Sequence, residues 1–165
     1  MSSVVLIAHN LRSAHNVGSL LRTAEGLGVD TVWLTGYSPY PQRENDYRLP
    51  HLVRKMNTQI AKTALGAETM QPWQYQADII SLLAGLKKDG YLLVALEQAT
   101  DAVALAEFPA PIRLALIVGR EVDGIEPEVL ALCDKIVEIP MAGQKESFNV
   151  VQAAAMALYQ FRFKI

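Results

Sequence analysis

The spacing of the first three apolar runs constrains this chain more than any other feature. Val4–Ala8 is short and rich in β-branched residues, as expected of a buried strand. From Asn16, Val17, Leu20, Leu21, Ala24 and Leu27 recur at helical spacing, with Gly26 and Gly28 where a helix would stop. Thr31–Leu34 follows as a second strand. Strand, helix and strand at this spacing form a βαβ unit, whose crossover makes the two strands parallel. The alternation then continues. Asn57–Leu65 and Ala77–Lys88 read as helices, and Tyr91–Leu96, Arg113–Val118 and Ile136–Ile139 as strands. Glu126-Pro127 opens a short helix, and Asn149–Gln160 is a closing amphipathic one. Gly36–Pro50 reads as a long exposed loop, a common place for function. The expected fold is α/β, a mostly parallel sheet flanked by helices in one domain over residues 1–165.

Composition matters chiefly for what it excludes. With 51% apolar and 19% charged residues, the chain suits a compact fold and argues against disorder. Its longest apolar stretches, such as Leu114–Val118 and Ala153–Leu158, are too short to span a bilayer, so no membrane partner is expected. Met1-Ser2-Ser3-Val4 lacks the basic start of a signal peptide, and the lone Cys133 fits a reducing compartment. A cytoplasmic location is expected. The net charge of −2 is unevenly spread: residues 1–66 carry seven Lys/Arg against four acids, the remainder eight against thirteen. The N-terminal part is the one suited to meeting phosphates.

In open α/β sheets, ligands bind in the crevice at the carboxyl ends of the strands. The polar residues expected there are His9, Asn10, Arg12, His15 and Asn16, then Glu97, then Gly119–Gly124, then Gly143–Asn149. Several chemistries fail on spacing. Gly26-Leu27-Gly28 lacks the third glycine of a dinucleotide fingerprint and ends a helix instead of opening one. No phosphate loop or Gly-x-Ser-x-Gly elbow is present. His9, His15 and His51 have no metal-ligand spacing and read as polar loop residues, so no metal is expected. Cys133, among Val129, Leu130 and Leu132, reads as a small core residue.

Three segments carry a more specific signal: Asn16–Gly28 with Arg22, Leu116–Ile125 with Gly119, Glu121 and Gly124, and Ile139–Val150 with Ser147 and Asn149. Together, in this order, they resemble the SpoU (TrmH-type) branch of the SPOUT RNA methyltransferases, and the resemblance runs over nearly the whole chain. It implies an α/β-knot fold with a C-terminal deep trefoil knot, a homodimer whose partner completes the site, and no appended RNA-binding domain. It also implies S-adenosyl-L-methionine (SAM) as cofactor and a ribose 2′-OH of tRNA or rRNA as acceptor, with tRNA favoured. The reaction asks mainly for positioning, because the methyl group leaves a sulfonium.

By motif, the cofactor pocket would use Leu96, Gly119, Ile139, Met141 and Phe148. Asn16, Arg22, Glu121, Ser147 and Asn149 would form the reacting site, with Arg22 as a phosphate clamp and Asn149 also capping the last helix. Arg12, Arg43, Arg48, Arg54 and Lys55 are the candidate RNA-binding cations. Phe148 departs from the leucine common between the Ser and Asn of relatives, and its ring would reshape the adenine pocket. The alternative is a non-catalytic RNA-binding or assembly factor that retains the fold.

Overall fold

The computed structural model describes residues 2–163. Its strands are β1 (Ser3–His9), β2 (Thr31–Thr35), β3 (Trp73–Gln76), β4 (Leu92–Leu96), β5 (Val103–Ala104), β6 (Arg113–Val118) and β7 (Lys135–Glu138). They form one sheet in the order β3-β2-β1-β6-β4-β7-β5, with every pair parallel. The helices are α1 (Ala14–Gly26), α2 (Pro50–Ala64), α3 (Ala67–Met70), α4 (Ile79–Lys88), α5 (Pro127–Leu130) and α6 (Val150–Phe163).

Side chains alternate across each strand, and the sheet has a core on either face. Val4, Leu6 and Ala8 of β1 with Leu114, Leu116 and Val118 of β6 face α1, α2 and α6. Val5 and Ile7 with Ala115 and Ile117 face α4 and the segment Ile125–Val129. Burial on both faces explains why these strands are unbroken apolar runs. Strand order reverses between β1 and β6: β2 and β3 lie to one side, β4 and β7 to the other. The loops after β1 and β6 leave the sheet there, at its carboxyl edge.

The elements differ from expectation where local chemistry overrode the pattern. α1 starts at Ala14 because the Ser13 side chain caps it, accepting from the Asn16 amide. α2 starts seven residues before the expected Asn57, at Pro50, where proline is at home in a first turn. Its early turns are mostly exposed, so they carry little apolar period. β3 and β5 escaped notice because each is an edge strand, short and only half-buried. The last helix runs from Val150, one residue after Asn149.

Gly18 shows how closely the helices pack. It is buried on α1, and a Cβ there would overlap the Ile60 carbonyl and Thr63 hydroxyl of α2. The Thr63 hydroxyl donates to the His15 carbonyl at 2.7 Å, so this contact is fixed from both sides. Gly18→Ala is expected to destabilise the fold by about 1–3 kcal/mol, the cost of overpacking a tight contact. Denaturant unfolding checks this; a variant as stable as the parent would show that the helices can part freely.

Candidate active site

The loops that follow β1, β6 and β7 meet at the carboxyl edge of the sheet, and one carboxylate joins them. Glu121, in the loop after β6, accepts from the Arg12 and Ser13 amides, both at 3.3 Å, and from the Asn16 side-chain amide at 3.2 Å. The Asn16 Oδ1 accepts in turn from Asn149 Nδ2 at 3.4 Å. Asn149 Oδ1 accepts from the Val151 amide at 2.9 Å, capping α6. Burial by itself would raise the Glu121 carboxyl. Hydrogen bonds from its own amide, the Asn16 side chain and the Arg12 and Ser13 amides outweigh it and hold the pKa below its ordinary value. Glu121 is therefore a fixed anion at neutral pH, and its charge dictates which way the Asn16 amide points.

Beside this relay lies a cavity of about 260 Å³. Leu96, Val118, Ile139, Phe148, Val150 and Ala153 form its apolar walls, and Glu97, Glu121, Asp123 and Ser147 its polar ones. Gly119 sits in the wall with no space for a side chain: a Cβ would stand 2.6 Å from Ile125 Cγ1 and 2.8 Å from the Gly124 carbonyl carbon. Gly124 adopts φ 67°, where L side chains are strained. The Glu97 carboxylate accepts from the Ile125 amide at 3.0 Å and the Gln98 amide at 2.9 Å. Gln98 Nε2 reaches the Glu146 carbonyl at 2.8 Å and so ties the loop after β7 to β4. Arg12, Ser13 and Asn16 line a second hollow that shares Arg120–Asp123 with the cavity.

A second carboxylate of the same loop grips the start of the β1 loop. Asn10 Nδ2 donates to Glu126 Oε1 at 2.7 Å and lies 3.1 Å from His9 Nε2. His9, only 6% exposed, bonds Thr35 Oγ1 at 2.8 Å through Nδ1 and lies 3.3 Å from Glu126 Oε2. His9 is thus a buried strand-end residue, not the polar loop residue expected. His15 and His51, also read as loop residues, lie on α1 and α2. Asn10 holds φ 55° to make these contacts.

The site residues named from sequence divide clearly. Leu96, Gly119, Ile139, Phe148 and Ser147 line the cavity, and Asn16, Glu121 and Asn149 form the relay beside it. Met141 is half-buried but lies outside the cavity lining. Arg22 is exposed, and at 100° per residue it stands about 240° round the helix from Asn16. It lines neither the cavity nor the second hollow. Arg48 is committed to its loop: it pairs with Asp46 through Nε at 2.8 Å and donates to the Tyr40 and Pro41 carbonyls at 3.0 Å each. Arg12, Arg43, Arg54 and Lys55 are exposed. His9 and Glu97 are placed at the crevice by the sequence but given no role there, and Gln98 and Glu126 are not singled out as site residues, although Gln98 too follows a strand end, where the crevice rule places functional groups. Among the described residues, no group of three or more His, Cys, Asp or Glu is arranged to hold a metal, and no helix is long and apolar enough to cross a membrane.

An all-parallel α/β sheet with an acidic, glycine-lined cavity at the carboxyl ends of β4, β6 and β7 is an architecture suited to a nucleotide-type ligand. The SpoU rRNA Methylase family profile matches residues 3–159, and the chain belongs to that family. A Staphylococcus saprophyticus protein assigned to the TrmH family of tRNA/rRNA methyltransferases is 32% identical over 158 residues, covering 96% of this chain and 57% of its own length. The chain therefore spans little more than half of that relative. An AdoMet-bound rRNA methyltransferase from Sinorhizobium meliloti shares the fold at TM-score 0.80 and 19% identity, covering 97% of this chain and 56% of its own. A structure described as giving insight into 2-OH methylation of C/U34 on tRNA superposes at TM-score 0.78 with 22% identity, over 97% of this chain and 94% of its own.

The buried His9 makes stability respond to pH. Burial, first of all, lowers its pKa below 6.5; Glu126 pulls it up and Arg120 pushes it down again. The folded chain thus binds this proton less readily than the unfolded one. Its contribution is present in full above 6.5 and is lost as pH falls through the folded pKa. Between about pH 7 and pH 5 the urea midpoint should fall, and His9→Gln should flatten that stretch. An identical slope in the variant would assign the loss to other groups.

Proposed function

We propose that this chain transfers a methyl group from SAM to the ribose 2′-hydroxyl of an RNA, tRNA in preference to rRNA, and that it works as a homodimer in the cytoplasm. The observation that carries the reading is the Glu121–Asn16–Asn149 relay running along an adenosine-sized crevice.

The residues present fit the cofactor. Leu96, Ile139, Phe148, Val150 and Ala153 offer apolar faces to an adenine ring, and Glu97, Glu121 and Asp123 offer acceptors and a negative field for a cationic ligand. SAM, when bound, supplies a methyl group on a sulfonium leaving group. The chain's own task is to place an oxygen in line with it. Glu121 fixes Asn16, and Asn16 and Asn149 present amide groups that can hold a ribose hydroxyl. Ser147, in the cavity wall, can accept or donate to the same ribose or to the cofactor. Arg22 is a permanent cation, suited to clamping a phosphate and unsuited to serving as a base. Since it faces away from its own cleft, it serves the site of a second copy of the chain.

Purified protein should move label from SAM into tRNA, and digestion should return 2′-O-methylated nucleosides. Label in a base, or in no RNA, would overturn the reading. The subunit arrangement has its own test. Arg22→Ala and Asn149→Ser should each be nearly inactive, the serine keeping the helix cap. An equal mixture, dissociated and reassociated, should regain about one quarter of the parent rate, because half the dimers are mixed and each has one intact site. No recovery would place Arg22 in its own protomer's site.

A further inference from the structure

The loop between β2 and α2 is long, yet it is rigidly built. Arg48 holds both Asp46 oxygens and two backbone carbonyls, and its Cζ lies 3.6 Å from the Tyr40 ring centroid. Tyr40 stacks on Tyr75 at 4.1 Å, and Asn57 of α2 accepts from the Gln42 amide at 2.9 Å. The Arg48 guanidinium holds the Asp46 carboxyl well below the usual carboxylate range, so the clamp stays closed at any ordinary pH. The loop is also stitched to the β1 loop. The Tyr37 amide donates to Asn10 Oδ1 at 3.0 Å, and the Leu11 amide to Ser38 Oγ at 2.9 Å.

This scaffold displays two aromatic rings that take no part in building it. Tyr47, held between the clamped Asp46 and Arg48, is 92% exposed; Tyr37, beside Asn10, is 54% exposed. Exposed cations lie on the same and adjoining segments: Arg12 in the β1 loop stitched to this one, Arg43 in the loop itself with its Cζ 5.2 Å from the Tyr40 centroid, and Arg54 and Lys55 on α2. Free rings on a rigid, cationic platform suit nucleobases whose faces are open, because duplex bases hide those faces in the stack.

We propose that the Tyr37–Tyr47 loop is a base-stacking platform, and that this protein binds its RNA at an unpaired loop and not along a duplex. The inference rests on the RNA-methyltransferase reading above and narrows its substrate class. Arg12 and Arg43 hold the phosphates, and the tyrosines take the bases of nucleotides near the methylated ribose.

The test uses the full chain and two fluorescent probes: an RNA stem-loop with an unpaired loop of about seven nucleotides, and a blunt duplex of the same composition. The stem-loop should bind at least about tenfold more tightly than the duplex. Tyr37→Ala/Tyr47→Ala should weaken stem-loop binding by about tenfold or more, leave duplex binding alone, and keep the salt slope, since no charge changes. Tyr37→Phe/Tyr47→Phe should bind like the parent. Calorimetric SAM binding by each variant confirms that the fold and cavity are intact. Equal affinity for both probes, or a stem-loop affinity that ignores the alanines, overturns the platform. A double variant that changes oligomeric mass instead of RNA affinity makes this face an interface between copies, which also overturns it. Methyl transfer that continues unaltered in the alanine variant sinks the platform and leaves the proposed function standing. Stem-loop selectivity without methyl transfer does the reverse.

Discussion

Everything at the carboxyl edge depends on the Glu121 carboxylate. It takes hydrogen bonds from the Arg12 and Ser13 amides and from Asn16, so it pins the β1 loop and the first turn of α1 to the β6 loop. Asn16 extends that grip to Asn149, where α6 begins. Segments more than a hundred residues apart in sequence thereby share one anion. Hydrogen bonds to a charged group are the stronger kind, and a half-buried carboxylate left without them would be costly. The arrangement is therefore self-enforcing: removing any loop leaves the others with an unpaired group.

The same network links stability to function. Ser13 and Asn149 each cap a helix, so the polar groups that terminate α1 and α6 also border the crevice. Glu126 repeats the device one step deeper, holding Asn10 and facing the buried His9. Glu97 and Gln98 do so on the far side, tethering Ile125 and Glu146. The walls of the cavity are fixed by carboxylates and amides whose other duty is to close loops. Such preorganisation is what a reaction governed by placement needs.

Much of this was legible in the sequence, and the illegible parts have physical causes. Strands buried on both faces announce themselves as apolar runs, which is why β1, β4 and β6 were recognised within a residue or two. β3 and β5 lie at the sheet's edges and bury too little to leave a pattern. Gly18 of the first motif has a packing reason, the close approach of α2, which no one-dimensional pattern displays. The fates of the arginines could not be read either: Arg48 and Arg43 share one loop, yet the Arg48 guanidinium is paired with Asp46 while that of Arg43 lies exposed over the Tyr40 ring. The motif groups Arg22 with Asn16 in one reacting site. Six residues apart on a helix they point in different directions, and it is the proposed homodimer that would bring them to one site.

Glu121 and Asn16 act as one unit in building the site. Methyl-transfer rates for Glu121→Gln, Asn16→Ala and the double variant measure that coupling. Residues that work as a unit are strongly non-additive, so the double variant should be no slower than the worse single one. Losses that multiply in the double variant would mean that the two side chains contribute separately, and the account of a carboxylate-centred site would fail.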